Sequence, residues 1–119
     1  MRGAYCPERG DVVWISFSPQ SGHEQAGDRP ALTLSPKFYN QKTGLAVLCP
    51  ITTRSKGYSF EVKIPDGYQV SGVVLPDHLK SLDWTTRRAR FYCKLPDKVL
   101  IDVTGQIGAL IGIDAEGLS

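Results

Sequence analysis

The chain has 119 residues, of which 41% are hydrophobic and 22% are charged, and its formal net charge is +2. These values exclude disordered and collagen-like chains and strongly basic nucleic-acid-binding domains, and the length suits a single domain at residues 1–119. Cys6, Cys49 and Cys93 lack the paired spacing of a zinc site or disulfide framework. Without a long apolar run or a hydrophobic signal region, the sequence predicts a cytoplasmic protein with no membrane segment.

Alternating apolar and polar residues predict strands in the first half of the chain. Residues 12–17 form the first predicted strand, and the polar, glycine-containing stretch of residues 18–29 follows it. A surface loop of that length in a compact domain is usually functional or disordered. Two further strands are predicted at residues 30–35 and 45–52, and the Asn, Thr and Gly of segment 37–44 indicate a turn between them.

The clearest two-residue period in the chain covers residues 58–64, where Tyr58, Phe60, Val62 and Ile64 share one face of a predicted strand. Because successive side chains of a strand point to opposite faces, this segment is expected to bury that apolar face. Three shorter strands are predicted at residues 72–75, 79–84 and 89–93.

Only the end of the chain changes to a helical period. From Pro96 onward apolar residues recur three or four positions apart, and Pro96 and Asp97 suit a first helical turn. Gly105 and Gly108 each cost about 1 kcal/mol relative to Ala, so the helix needs tertiary packing, and its small-residue face is expected against the sheet. The sequence predicts a mainly β (α+β) fold, an antiparallel sheet or partly open barrel with a C-terminal helix. The apolar helix positions are Val99, Val103, Ile107, Leu110 and Ile111.

The loop that ends at Pro30 carries Glu24 and Arg29, a carboxylate and a guanidinium on one glycine-marked segment. These groups suit metal-free cleavage of RNA, which requires a base for a ribose 2′-hydroxyl and a fixed cation for the charge on a five-coordinate phosphorane. The planar donors of Arg match phosphate oxygens in a bidentate way. Solvated surface residues would give the same pair, so the pair alone leaves the function open.

Short motifs distributed along the chain add a second kind of evidence. They include Gly10-Asp11-Val12-Val13-Trp14, Glu24-Gln25-Ala26-Gly27-Asp28-Arg29-Pro30-Ala31, Leu34-Ser35-Pro36, Lys42-Thr43-Gly44, Ser55-Lys56-Gly57-Tyr58 and Phe60-Glu61-Val62. As a series they resemble the MazF family of toxin endoribonucleases, and the similarity continues through Asp77, Lys80-Ser81 and Trp84. The resemblance covers residues 5–112.

The resemblance implies an SH3-like, partly open antiparallel barrel of the kind shared by the Kid and CcdB toxins, assembled as a homodimer. It implies the toxin of a type II toxin–antitoxin system, a ribonuclease that needs neither metal nor cofactor. Such an enzyme cuts single-stranded messenger RNA at a short motif, leaves 2′,3′-cyclic phosphate and 5′-hydroxyl ends, and so inhibits translation. A MazE-like antitoxin would cover the RNA groove, and operator DNA would be bound only through the antitoxin complex.

Three residues match the active positions of the family. The resemblance assigns Glu24 as the general base, Arg29 as the group that holds the scissile phosphate, and Thr52 as a hydroxyl donor to a phosphate oxygen. The leaving 5′-oxygen needs a proton, and Arg29 is a poor donor because it does not deprotonate in proteins. His23 and water are the open alternatives for that acid. Asp28 places a negative charge beside Arg29 that would orient its guanidinium.

Contacts to RNA are assigned to further matching positions whose polar or cationic groups can read exposed bases or meet phosphates. Phe17 is expected in the core, Trp14 and Trp84 in packing or a dimer interface, and His78 in ordinary surface contacts. The assigned RNA-contact residues are Gln25, Asn40, Thr53, Lys56, Asp77, Lys80 and Arg87.

A second function would keep the fold and drop the chemistry. A CcdB-like toxin poisons DNA gyrase by protein contact, and in that branch the C-terminal helix ends in an aromatic and glycine tip. Residues 111–119 contain no Trp, and with Glu24, Arg29 and Thr52 present the sequence favours RNA cleavage. A catalytically inactive barrel used only for binding would leave the same pattern.

Overall fold

The computed structural model describes residues 5–17, 27–114 and 117–118, and within them seven strands form one antiparallel sheet. The prediction of a mainly β fold with antiparallel strands and a C-terminal helix is confirmed. In the described part of the chain, no helix combines the length and apolar character needed to cross a membrane. The strands of the sheet are β1 (Asp11–Ser16), β2 (Asp28–Thr33), β3 (Leu45–Thr52), β4 (Val62–Lys63), β5 (Val73–Val74), β6 (Lys80–Asp83) and β7 (Arg90–Lys94).

The strand order is β4-β5-β3-β2-β1-β7, and β6 also pairs with β3. Two α-helices accompany the sheet, α1 (Lys37–Thr43) and α2 (Asp97–Leu110), and a 3-10 turn covers Pro76–His78. A small hairpin of β8 (Ile113–Asp114) and β9 (Gly117–Leu118) follows α2.

The sheet has an apolar core on each face because alternate residues of its central strands are buried in opposite directions. Val12, Leu32 and Cys49 lie on one face, where β5 and α2 cover them. Val13 and Ala31 lie on the other face, in a smaller cluster that includes Leu48 and Leu82. Burial on both faces explains why the central strands are nearly continuous runs of apolar residues.

Strand β3 changes its partner midway along its length. Its first half pairs with β6 and its second half pairs with β5, and Pro50 lies between the two pairings. The Pro50 carbonyl accepts a hydrogen bond from the Leu75 N–H at 3.0 Å, so the missing N–H of Pro50 faces the same side. The missing donor marks the point where the ladder to β6 ends. The last residue of β3, Thr52, pairs with Val73 of β5.

Two predicted segments differ from the structure. Segment 37–44 is the helix α1 and not a turn, since Pro36 precedes it and Gly44 ends it in a left-handed conformation with φ 75°. Of the predicted strand at 58–64 only Val62–Lys63 pairs, because Glu61 N–H donates to the Tyr58 carbonyl and closes a turn. The rings of Tyr58 and Phe60 stack 5.1 Å apart, so their alternation does not mark a strand.

Helix α2 confirms the helical period but not every predicted contact. Val99 and Val103 are buried against the sheet, whereas Leu110 and Ile111 are exposed. Gly105 is also exposed, and a Cβ atom added there would meet nothing within 4 Å. The expectation that the small-residue face lies against the sheet is therefore wrong at Gly105, because the β-branched residues Val99 and Val103 fill that interface.

Candidate active site

Arg29 and Thr52 come together because of strand register. Strands β2 and β3 pair antiparallel with Ala31 opposite Pro50 and Leu32 opposite Cys49. Extended by two residues, the same register places Arg29 opposite Thr52 at the end of both strands. Side chains at directly opposed positions share a face of the sheet. Two residues that are 23 positions apart in the chain are therefore neighbours near the ends of two adjacent strands.

The guanidinium of Arg29 lies over an aromatic ring. Its carbon Cζ is 5.8 Å from the ring centroid of Phe17, a cation–π geometry of about 0.5–1 kcal/mol at an exposed position. In the part of the chain that the structure describes, this guanidinium has no carboxylate partner. Asp28 points away and pairs with Arg90 at 2.8 Å, which corrects the expectation that it orients Arg29. Among the described residues, the ring of Phe17 contacts the Arg29 guanidinium, and no carboxylate neutralises its charge.

Thr52 is held through its hydroxyl and through its backbone. The Oγ1 atom accepts a hydrogen bond from the Arg54 N–H at 3.0 Å, which leaves the hydroxyl proton available for an outside acceptor. Gly72, with φ 113°, packs against the Thr52 backbone so closely that an added Cβ would overlap the Thr52 carbonyl oxygen. Thr52 is thus held by the loop that follows β3 and by the close approach of Gly72.

Arg29 and Thr52 form the wall shared by two cavities. One, of about 360 Å³, lies toward Trp14, Thr53 and Tyr92, whose ring stacks on Trp14 at 4.8 Å. The other, of about 370 Å³, is lined by side chains of both charges. Its further lining residues are Arg54, Lys56, Tyr58, Phe60, Glu61, Leu75, Asp77 and His78. Together the cavities flank a guanidinium and a hydroxyl, which are donors suited to a phosphate.

The structure divides the predicted RNA-contact residues into two groups. Thr53, Lys56 and Asp77 line the two cavities beside Arg29 and Thr52. Lys80 is exposed on β6 but lines neither cavity. Arg87 Nη1 donates to the Ser16 carbonyl at 2.9 Å and so supports the end of β1.

Asn40 is completely buried, which corrects its assignment to RNA contact. Its Nδ2 donates to the carbonyls of Pro7 and Ser35 at 2.8 and 3.1 Å, and its Oδ1 accepts from the Ser35 hydroxyl at 2.6 Å. The Asn40 carbonyl also accepts from Trp84 Nε1 at 2.9 Å, in line with the packing role expected for Trp84. Every side-chain hydrogen-bonding group of Asn40 is used inside the protein, so we assign it a structural role.

Comparison with known proteins decides the family. Residues 8–111 match the family model of the PemK-like, MazF-like toxin of type II toxin–antitoxin systems. The chain belongs to this toxin family. It is 44% identical to the endoribonuclease toxin MazF of Escherichia coli K12 over 94% of this chain and 100% of that protein. It is 36% identical to the endoribonuclease toxin ChpB of the same strain, over 87% and 93% of the two chains.

Solved structures of this family have the same fold. A MazE-MazF structure from Deinococcus radiodurans superposes with a TM-score of 0.87 and 53% identity, over 93% of this chain and 100% of that chain. A MazF structure from the same organism gives a TM-score of 0.84 and 54% identity, over 92% and 99%. These matches agree with the expected MazF-type barrel and do not favour the CcdB-like alternative.

Three of the predicted site residues of this MazF-like toxin, His23, Glu24 and Gln25, lie outside the described residues. Their segment, residues 18–26, begins after Phe17, the residue that follows β1, and ends two residues before Asp28, the first residue of β2. Among the described residues, no three side chains of His, Cys, Asp or Glu converge as metal ligands would.

Sequence reasoning missed two residues of the MazF-like site. His78, expected at an ordinary surface position, lines the cavity beside Arg29 and Thr52, with Nε2 3.7 Å from Asp77 Oδ2. Arg54 lines the same cavity two residues after Thr52. The signal for Arg54 was its place two residues after a strand that ends in a site residue. His78 had no such signal, because its neighbours are set by the β5–β6 connection.

Proposed function

We propose that this MazF-like toxin is an endoribonuclease that cleaves single-stranded RNA without a metal or cofactor and thereby inhibits translation. The observation that carries the proposal is that the Arg29 and Thr52 side chains, from the ends of β2 and β3, line the same two cavities. Both are donors, and the described residues leave the charge of Arg29 without a carboxylate. Two such donors suit the non-bridging oxygens of one phosphodiester. The endoribonuclease names of the curated relatives support the same chemistry.

The proposed reaction is an attack within the substrate. Glu24 removes the proton of the ribose 2′-hydroxyl, and the 2′-oxygen attacks the adjacent phosphorus. Arg29 and Thr52 donate to the phosphate oxygens as charge builds on the phosphorane. The bond from phosphorus to the 5′-oxygen breaks, the 5′-oxygen takes a proton, and the products are a 2′,3′-cyclic phosphate and a 5′-hydroxyl. A 2′-hydroxyl nucleophile restricts the reaction to RNA.

The proton for the leaving oxygen has two candidate sources among the side chains. His23 precedes the proposed base, and His78 lines the cavity beside Arg29. An imidazole can supply a proton at neutral pH, as Arg29 cannot. Replacement of the acid would remove the alkaline limb from the pH profile of kcat, and comparison of His23→Gln with His78→Gln identifies which residue supplies it.

The substrate strand is proposed to follow the cavities on either side of Arg29. Lys56 supplies a cation for the backbone, and Thr53 and Asp77 supply a hydroxyl and a carboxylate for base edges. Gln25, Lys80 and Arg87 remain proposed RNA contacts. Because these residues would contact only a few bases of a single strand, we propose that the toxin recognises a short single-stranded motif.

The proposed partners are those of a type II system. A MazE-like antitoxin is proposed to cover the RNA groove, since a relative from Deinococcus radiodurans has been solved as MazE-MazF. We further propose that the toxin is a homodimer, binds operator DNA only through the antitoxin, and acts in the cytoplasm. Sedimentation of the purified toxin with and without antitoxin tests the dimer and the complex.

One experiment tests the reaction directly. Purified toxin is incubated in EDTA with a single-stranded RNA, with the same sequence as DNA, and with an RNA whose 2′-hydroxyl at the cleavage position is replaced by hydrogen. We expect cleavage of the RNA alone, with a cyclic phosphate on one new end. Undiminished cleavage of the singly deoxy substrate would refute the mechanism.

A further inference from the structure

One carboxylate holds the loop that follows β3 in its conformation. This loop, residues 53–61, runs from Thr52 to the start of β4. Ser55 Oγ donates to Glu61 Oε1 at 2.6 Å, and the Lys56 N–H donates to Glu61 Oε2 at 3.0 Å. Both carboxylate oxygens of Glu61 are therefore used to hold two consecutive residues of its own loop.

The anchoring extends from Glu61 toward the active site. The Gly57 N–H donates to Ser55 Oγ at 3.1 Å, and Gly57 has φ 75°, which turns the chain back toward Glu61. At the other end of the loop, the Arg54 N–H donates to Thr52 Oγ1. Hydrogen bonds thus hold this segment at two places, next to the end of β3 and at the Glu61 carboxylate, and Arg54 and Ser55 are consecutive residues between them.

The loop carries the cations of the cavity beside Arg29. Arg54 and Lys56 are exposed, and both line the cavity that contains Arg29 and Thr52. Glu61 lines the same cavity, where a free carboxylate would repel the backbone of RNA. The Ser55 hydroxyl, and after it the Lys56 N–H, lower the pKa of Glu61 below its ordinary value, so the carboxylate stays charged and bound to the loop.

We propose that Glu61 is a positioning residue that fixes loop 53–61 so that the Lys56 ammonium meets the RNA backbone next to Arg29 and Thr52. The proposal rests on the proposed ribonuclease function. The proposal predicts a change in RNA binding opposite to the change that the charge of Glu61 alone predicts. Removal of a solvated acid beside an RNA groove strengthens binding, whereas loss of this anchor weakens it.

The test measures KM and kcat of the full chain on a cleavable RNA, for Glu61→Gln and for a matched control. Asp66→Asn removes the same charge from an exposed residue that shares a neighbouring cavity of about 470 Å³ with Glu61. We expect Glu61→Gln to raise KM about fivefold to tenfold, as for the loss of one or two hydrogen bonds, with kcat changed less than twofold. Asp66→Asn is expected to leave KM unchanged or lower it.

A double-mutant cycle with Lys56→Ala separates positioning from general damage. If Glu61 acts through Lys56, Glu61→Gln raises KM much less in the Lys56→Ala background than in the wild type. Equal effects in both backgrounds would overturn the proposal. Should Glu61→Gln fail to fold, Ser55→Ala removes a single bond to the carboxylate and is expected to raise KM about twofold to threefold.

The outcomes for the inference and for the function are distinct. Wild-type cleavage combined with an unchanged or lower KM in Glu61→Gln, or an unchanged KM in Ser55→Ala where the first variant is unfolded, overturns the role of Glu61 and leaves the ribonuclease intact. No cleavage by the wild type overturns the proposed function itself.

Discussion

Two regions that the sequence assigned to the RNA site are built in opposite ways. One holds Asn40, a predicted RNA contact, and the other holds Arg29 and Thr52, two predicted catalytic residues. Around Asn40 each side-chain donor and acceptor is used within the protein, and the residue is completely buried. At the sheet edge, Arg29 is exposed and the Thr52 hydroxyl keeps its proton for an outside acceptor. Polar groups whose hydrogen bonds are all made within the protein stabilise the fold, whereas donors without a protein acceptor that line a cavity are available to a substrate.

The largest effect is expected for Arg29→Ala at the open edge. Loss of a donor to the phosphorane removes about 3–4 kcal/mol of transition-state stabilisation, a fall in kcat of about 10²- to 10³-fold. Because the guanidinium is exposed, the midpoint of thermal unfolding should stay within a few degrees of wild type. Steady-state cleavage and thermal melting of the same preparation measure both. A variant that melts early but cleaves normally once folded would reverse the assignment.

Asn40→Ala should have the complementary effect. It leaves the carbonyls of Pro7 and Ser35 without their donor and opens a small cavity, at a cost of about 2–4 kcal/mol in unfolding free energy. Chemical denaturation gives this value, and cleavage per folded molecule should equal that of wild type. A raised KM in a variant of normal stability would instead support a contact between Asn40 and RNA.

Within β3, the buried Cys49 contrasts with Thr52, which lies three residues later and lines the active-site cavities. Cys49 is completely buried, and burial raises the pKa of its thiol to about 12. The folded protein therefore keeps a proton that the unfolded chain loses above pH 9, so stability falls as pH rises from about 9 to 12. Unfolding free energies measured up to pH 11 should decline less steeply for Cys49→Ala than for wild type. Parallel slopes would show that Cys49 does not contribute.

Substitution of Gly105 tests whether exposure to solvent is sufficient for a residue to affect catalysis. It lies in the interior of α2 with free space at its Cβ position, so Gly105→Ala should raise the unfolding free energy by about 1 kcal/mol. Neither kcat nor KM should change, since α2 offers no polar group to the cavities at Arg29. Urea titration with parallel cleavage assays measures both. A loss of activity would connect the outer face of α2 to the site.

Local pattern in the sequence predicted those elements whose neighbours lie on a regular ladder. The bounds of β3 agree at both ends, and the period of Val99 and Val103 predicted the buried face of α2. Helix α1 was missed because seven residues are too few to show a period, although Pro36 and Gly44 carried its boundary signals. The pairing of Tyr58 with Phe60 was missed because stacking between neighbouring side chains produces the same alternation as a strand.

The site was predictable only in part for a related reason. Arg29 and Thr52 stand at strand ends, where register brings them together, and the family resemblance selected them. The same resemblance selected Asn40, because a matching position carries no information on whether its side chain faces inward. That information comes from partners distant in the chain, Pro7 among them, which only the folded structure identifies.

The close approach of Gly72 to the carbonyl of Thr52 has a consequence for genetics. If the proposed ribonuclease inhibits translation in its own host, cells that lose the activity are selected, and one substitution that displaces a site residue is enough for this. Any side chain at position 72 collides with the backbone that presents the Thr52 hydroxyl. Substitutions at Gly72 are therefore expected among cells that survive induced expression of this gene, and they would reduce activity without altering a side chain that is proposed to contact the RNA.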